Sequence, residues 1–375
     1  MKLSETLDNA TVHSTLFFDN ALSALKSASP EGSTVCLVGF DRADIFLRAG
    51  YRLVERDGDV AIARGGEREF NAARKTNCAK LILAPTHGYL SAASAVYRTV
   101  DHGFAKKSVG AMPYAAVFDS EDIDPNLASV FGEIIALDLC AFDSAFGSLM
   151  RGEKLNISLC TEVARMVTDV TAALRPIEKT RTEQSKTLVA FAQKAASIVA
   201  AHPELAYSSG ACQLSEAYRM LCTAEDRPLG MRGETEAVLG DYVLDFYVKS
   251  FGRGATFPPD NNRRIDSLCT YFNADVRRAC VHTTPIAPPQ NMRLMEYRLN
   301  EYKPELVRLL VEAQQRKTAA RQVFRRLYPD DGYCLKSLVD KTDIPLLLAL
   351  APDVFAADSM LSYIKQTGNL ERYIV

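Results

Sequence analysis

Gly65 and Gly66 lie where a short apolar strand, residues 60–63, gives way to a helical stretch, residues 67–75. Glycines at such a junction let backbone amides approach a pyrophosphate at the positive end of the helix. A tight turn with a positive φ angle has the same requirement for glycine. On local sequence alone the tight turn is the better-supported interpretation, and nucleotide binding is the alternative.

His87 follows the dipeptide Pro85-Thr86 at the end of a second apolar run, residues 79–84. An imidazole titrates near neutral pH, so a histidine at a strand end can carry a proton. A single histidine with no partner in the sequence is more often structural. His87 is therefore a candidate proton carrier with a structural alternative.

The elements that must position these residues alternate between strands and helices. Apolar, β-branched runs at 34–40, 60–63, 79–84 and 114–118 predict buried strands, and helical stretches lie between them. This alternation predicts a parallel sheet of the doubly wound type. Beyond residue 125, stretches such as 183–201 and 292–327 have helical periodicity, so we predict an α/β domain over 1–124 and an all-α domain over 125–375.

The bulk composition excludes some classes of protein. A chain of 375 residues with 47 % apolar and 24 % charged residues predicts two globular domains. A formal charge of −2 gives no case for nucleic acid or a membrane surface as partner. A small molecule or another protein is the expected partner. Nine scattered cysteines without a CxxC pair indicate a reducing compartment, so we expect a cytoplasmic protein.

Six segments in a fixed order carry a family resemblance. They are residues 64–74, 83–87, 106–119, 131–138, 208–217 and 231–234. Together they resemble the dehydroquinate synthase-like and iron-containing alcohol dehydrogenase superfamily, and the segment 106–119 is closest to glycerol-1-phosphate dehydrogenase. The match spans roughly residues 60 to 240, although Arg64 and Asn71 replace a glycine and an acidic residue of the family's glycine-rich turn.

The resemblance implies a metal site whose histidines have been replaced. Glu133 matches the family's carboxylate ligand, Glu216 stands at the first histidine and Arg232 at the second. A guanidinium only donates hydrogen bonds and cannot coordinate a cation. We therefore expect a metal-free site in which Arg232 supplies the positive charge and pairs with Glu133 and Glu216. The alternative is an all-oxygen magnesium or manganese site that adds Glu234.

Three functions follow from the resemblance. The first is a metal-free dehydrogenase for a polyol or phosphorylated alcohol, with NAD or NADP held by Gly65, Gly66 and Thr86 and with His87 and Arg232 as catalytic residues. The second is a catalytically inactive member that serves as a ligand sensor, scaffold or partner subunit. The third is a dehydroquinate-synthase-like cyclase. Relatives commonly form oligomers, so a homo-oligomer is also expected.

Overall fold

The computed structural model describes residues 15–101, 104–250, 292–328, 339–355 and 357–366. Its contacts group into two compact units. The first lies within residues 1–99, 107–134 and 172–206, and the second within residues 100–106, 135–171 and 207–375. Both units are therefore built from separate stretches of the chain.

A parallel sheet forms the centre of the first unit. Its strands are β1 (Leu16–Phe18), β2 (Thr34–Val38), β3 (Arg52–Leu53), β4 (Val60–Gly65), β5 (Lys80–Pro85) and β8 (Ala115–Val117). They lie in the order β1-β8-β5-β4-β2-β3, and all the pairs are parallel. Strands β6 (Val96–Asp101) and β7 (Phe104–Val109) form a separate two-stranded sheet.

Short helices follow several strands of this sheet. They are α1 (Ala21–Ala28), α2 (Asp44–Arg48), α3 (Glu67–Arg74) and α4 (Ser120–Ile123), with a 3-10 helix at Tyr89–Ala93. The Asn20 side chain caps α1 by accepting a hydrogen bond from the Ser23 amide at 2.8 Å. Val60, Ile62 and Ile82 are fully buried, so the central strands carry the core of the sheet.

Helices make up the described chain after β8. They are α5 (Leu127–Met150), α6 (Ile157–Leu174), α7 (Arg181–Ala201), α8 (Gly210–Ala224), α9 (Arg232–Ser250), α10 (Met292–Leu327), α11 (Ile344–Val354) and α12 (Met360–Gln366). The predicted fold class, an α/β domain followed by a helical region, is confirmed.

The predicted domain boundary after residue 124 stays a prediction. Residues 125–134 and 172–206, which include the whole of α7, group with the sheet, and the other described residues after 134 belong to the second unit. Ser185 on α7 donates a hydrogen bond to Asp124 at 2.7 Å, and Arg181 forms an ion pair with the same carboxylate at 3.1 Å. These contacts show why α7 belongs to the sheet unit.

Asp143 on α5 joins four helices of the second unit. Its Oδ2 accepts hydrogen bonds from the Gly210 amide at 2.8 Å and the Tyr247 hydroxyl at 3.1 Å, and its Oδ1 accepts one from the Met360 amide at 2.8 Å. The Tyr247 hydroxyl also accepts a hydrogen bond from the Leu361 amide at 3.0 Å. Asp143 is fully buried. Burial, followed by the charge of Asp143, raises the pKa of Tyr247 well above its usual range, so the phenol stays protonated and acts as a donor.

Among the residues that the structure describes, no helix is both long and apolar enough to cross a membrane.

The substitution Asp143→Asn is expected to lower the free energy of unfolding by on the order of 3 kcal/mol, because an amide nitrogen would face buried donors that lose their acceptor. Chemical denaturation measures the change. Asp226→Asn is the matched control, since Asp226 is exposed and its φ angle of 53° is one that asparagine tolerates. Equal midpoints for the two variants would contradict this role of Asp143.

Candidate functional site

The glycine turn lies at the carboxyl ends of two neighbouring strands. Gly65 ends β4 with a φ angle of +143°, which favours glycine, and Gly66 is the N-cap residue of α3. The Thr86 amide, just after β5, donates a hydrogen bond to the Gly65 carbonyl at 2.8 Å. The structure therefore brings the two predicted turns, Gly65-Gly66 and Thr86-His87, side by side.

The ring of His87 packs directly on the backbone of Gly66. A Cβ atom added to Gly66 would lie 1.9 Å from His87 Nε2, which no real contact allows. The other ring nitrogen, Nδ1, lies 3.1 Å from the Thr86 hydroxyl. Gly66 is needed here because the imidazole occupies the place of its side chain.

Carboxylates already surround the N-terminus of α3. The Gly66 amide donates a hydrogen bond to Glu69 Oε2 at 3.0 Å, and Glu67 forms an ion pair with Arg98 at 3.0 Å. A helix N-terminus favours an anion, and Glu69 supplies one from within the chain. A pyrophosphate at this amide would have to displace a carboxylate and would meet a second one, so these residues do not fit a dinucleotide phosphate.

Glu133, on α5 in the first unit, accepts hydrogen bonds from the turn that follows His87. It is 4 % exposed, and its two oxygens accept hydrogen bonds from the amides of Gly88 and Leu90, each at 3.1 Å. Gly88 has a φ angle of +68°, so the turn enters the 3-10 helix through a left-handed residue. The carboxylate that matches a family metal ligand therefore stabilises a backbone turn.

Glu216 lies on α8 in the second unit and forms an ion pair one turn along its own helix. Arg219 Nε lies 2.9 Å from Glu216 Oε2, and the Glu216 side chain is only 7 % exposed. A buried carboxylate needs such a partner. The Glu216 carboxylate is therefore one half of a salt bridge within α8.

Arg232 begins α9 and contacts Glu236, Tyr207 and Cys212. Its Nε donates to Glu236 Oε1 at 2.7 Å, its guanidinium lies 4.1 Å from the centre of the Tyr207 ring, and its Nη2 lies 3.6 Å from Cys212 Sγ. The ion pair fixes the guanidinium along its own helix, and the ring contact adds a cation–π interaction.

The buried thiol of Cys212 is affected by the charges of both Glu216 and Arg232. Burial raises the pKa of its thiol well above the usual range; the charge of Arg232 opposes this shift, and those of Glu236 and Glu216 add to it. Glu216 and Arg232 therefore both act on one buried thiol. The predicted pairing of Arg232 with Glu133 and Glu216 stays a prediction.

Glu234 has a local role at the start of α9. Its Oε2 accepts a hydrogen bond from the Met231 amide at 3.0 Å, and burial raises its pKa. Within the described ranges, no three His, Cys, Asp or Glu side chains are grouped so as to hold a metal ion. The set Glu133, Glu216 and Arg232 also does not fit the family's metal, because the two carboxylates are engaged and the guanidinium only donates.

The ion-pair partners of Arg232 and Glu216 were not predicted from the sequence, although their spacing indicates them. Glu236 lies four residues after Arg232 and Arg219 three after Glu216, which are the spacings of side-chain pairs on a helix. The pairing of Glu69 with Gly66 follows the spacing of a capping box. These signals were present in the sequence, whereas no local pattern indicated the contact of Cys212 with Arg232.

The fold is similar to that of known enzymes. The mutant alcohol dehydrogenase ADH/D1 from an archaeon of a Red Sea brine pool is 12 % identical, with a TM-score of 0.53 over 98 % of this chain and 97 % of that chain. Maleylacetate reductase from Rhizobium sp. strain MTP-10005 is 13 % identical, with a TM-score of 0.54 over 97 % of each chain. YqhD from E. coli K-12 is 11 % identical, with a TM-score of 0.53 over 98 % of this chain and 96 % of that chain.

These similarities show a shared fold over nearly the whole chain. At this level of identity they show the fold alone. No protein-family model matches the sequence, and no curated protein matches it.

The substitution Gly66→Ala is expected to lower the free energy of unfolding by about 1–3 kcal/mol, because the new methyl group would overlap the His87 ring. Urea denaturation measures this loss. Adding His87→Ala to the same chain removes the overlap and should restore part of the stability. A double variant no more stable than Gly66→Ala alone would contradict the contact.

The substitution Arg232→Ala should cost about 1–3 kcal/mol, because it leaves the Glu236 carboxylate, which is 7 % exposed, without its ion pair. Arg165→Ala, at an exposed position of α6, is the control. In a double-mutant cycle, Arg232→Ala with Glu236→Ala should cost less than the sum of the single changes. Additive losses would show that the pair contributes nothing.

Proposed function

We propose that this chain is a member of the iron-containing alcohol dehydrogenase superfamily that binds a small molecule or a partner protein and does not transfer hydride. The proposal rests on the contacts of Arg232. At the position of the family's second histidine stands a permanent cation that is tied to Glu236 and packed on Tyr207. Such a group replaces the charge of a metal without its coordination chemistry.

The contacts of the glycine turn in the sheet unit support the same proposal. The Gly66 amide, which would face a pyrophosphate, is hydrogen-bonded to Glu69. Arg64, next to the turn, forms an ion pair with Asp122 at 2.5 Å. Cationic and amide groups that could neutralise a phosphate are thus already engaged with carboxylates of the chain itself.

A metal-free dehydrogenase using NAD or NADP is the second candidate. The observation in its favour is the place of His87, whose imidazole lies at the end of β5 beside the glycine turn. In open α/β sheets this edge is where ligands bind. His87 would then move a proton to or from a polyol or phosphorylated alcohol, with Arg232 polarising its oxygen.

The cellular setting belongs to the same proposal. The described cysteines at positions 36, 78, 140, 160, 212 and 222 are all free thiols. Free thiols suit a reducing compartment, so we place the protein in the cytoplasm, where it could form a homo-oligomer.

Thermal denaturation with each nicotinamide cofactor separates the two candidates. A ligand that binds only the native state raises the midpoint, so a binding protein without a dinucleotide site should show no shift with millimolar NAD or NADP. A clear shift of the wild-type protein would favour the dehydrogenase and justify a screen of polyols and sugar phosphates for turnover.

The variant Glu69→Gln tests whether the Glu69 carboxylate prevents a cofactor from binding at the Gly66 amide. It removes the negative charge at the Gly66 amide, and we expect it to acquire a cofactor-dependent shift that the wild-type protein lacks. Glu121→Gln, at an exposed acid in the first turn of α4, is the matched control and should stay unresponsive. An equal cofactor-dependent shift of the midpoint in both variants would show that Glu69 is not what prevents cofactor binding.

A further inference from the structure

A cavity between α9 and α10 of the second unit is separate from the residues discussed above. Its volume is about 340 Å³. The lining includes Asp241 and Asp245 from α9 and Gln314, Gln315, Lys317 and Arg321 from α10. Asp245 and Gln315 are exposed, whereas Lys317 and Asp241 are partly buried, so the cavity has a solvent-facing rim and an inner charged pair.

Lys317 holds its amine against the backbone of the neighbouring helix. Its side chain is only 13 % exposed. A Cβ atom added to Gly240 would lie 2.8 Å from Lys317 Nζ, so a glycine at this place in α9 makes room for the amine. The amine is thus positioned at the cavity and is not a mobile surface group.

Asp241 supplies an oxygen without a hydrogen-bond partner. Its Oδ2 accepts hydrogen bonds from Arg321 at 2.8 Å. Its Oδ1 is buried and has no partner among the described residues, and it lies 3.9 Å from Lys317 Nζ. This separation is too long for a hydrogen bond but short enough for one atom of a ligand to bridge.

The surroundings of Lys317 lower the pKa of its amine, which increases the neutral fraction relative to that of an exposed lysine. Burial lowers its pKa, and the charge of Arg321 acts in the same direction, whereas Asp241, Asp138 and Glu236 oppose the shift. A desolvated lysine amine is a nucleophile toward carbonyl groups.

We infer that Lys317 captures a small hydroxyaldehyde in this cavity as an imine. The amine nitrogen attacks the carbonyl carbon, a C–N bond forms, and the carbonyl π pair moves to the oxygen. Asp241 Oδ1 accepts a proton from the nitrogen and returns one to the oxygen. The hydroxyl oxygen then takes up one more proton, from solvent. The nitrogen lone pair forms the C=N bond as the C–O bond breaks, so water leaves and a protonated imine remains. Gln315 provides a polar rim for the hydroxyl groups of the ligand.

The test uses the full-length protein and glycolaldehyde at pH 7 with sodium cyanoborohydride, which reduces each imine to a stable amine. Peptide mass mapping then follows the labelling of every lysine with time. We expect Lys317 to label several-fold faster than Lys249, an exposed lysine near the end of α9. Labelling of Lys317 no faster than that of Lys249 would overturn the inference.

A matched pair of variants tests whether the cavity is responsible. Gln315→Trp places an indole at the exposed rim and should reduce labelling of Lys317 several-fold without changing that of Lys249. Ala319→Trp, at an exposed position of α10 outside the lining, should leave both rates unchanged. Unchanged labelling of Lys317 in Gln315→Trp would show that the cavity does not admit the aldehyde.

Discussion

The buried carboxylate of Asp143 is the interaction on which the helical unit depends. It takes hydrogen bonds from the start of α8, from Tyr247 on α9 and from the start of α12. A buried charge of this kind is tolerated only when several donors surround it. The helices that carry Glu216 and Arg232 are therefore held by contacts deep in the unit, and the candidate site can change without loss of the fold.

The sequence predicted the fold where hydrophobic patterning is strong. The runs that became β2, β4, β5 and β8 were mostly apolar and were followed by helical stretches, and the periodicity of α10 was clear over its whole length. Strands β1 and β3 span only Leu16–Phe18 and Arg52–Leu53, too short to show a period of two. Strands β6 and β7 are partly polar, so alternation did not reveal them.

The candidate site was predictable in its positions and less so in its interactions. The resemblance assigned Gly65 and Thr86 to one cofactor site, and the structure places these two residues side by side because adjacent parallel strands end at one edge. The ion pairs were harder to predict, because side-chain geometry decides which carboxylate a guanidinium pairs with. The ion pair of Arg232 with Glu236 lies within one helix, and the pairing of Arg232 with Glu133 and Glu216 stays a prediction.

The Arg232–Glu236 pair also limits which side chains position 232 can accept. A histidine there would remove the permanent cation on which a nearly buried carboxylate relies, and Tyr207 would lose the group that covers its ring. Positions 207, 232 and 236 are therefore coupled, and a change at position 232 that keeps the stability of the helix needs a compensating change at one of the other two.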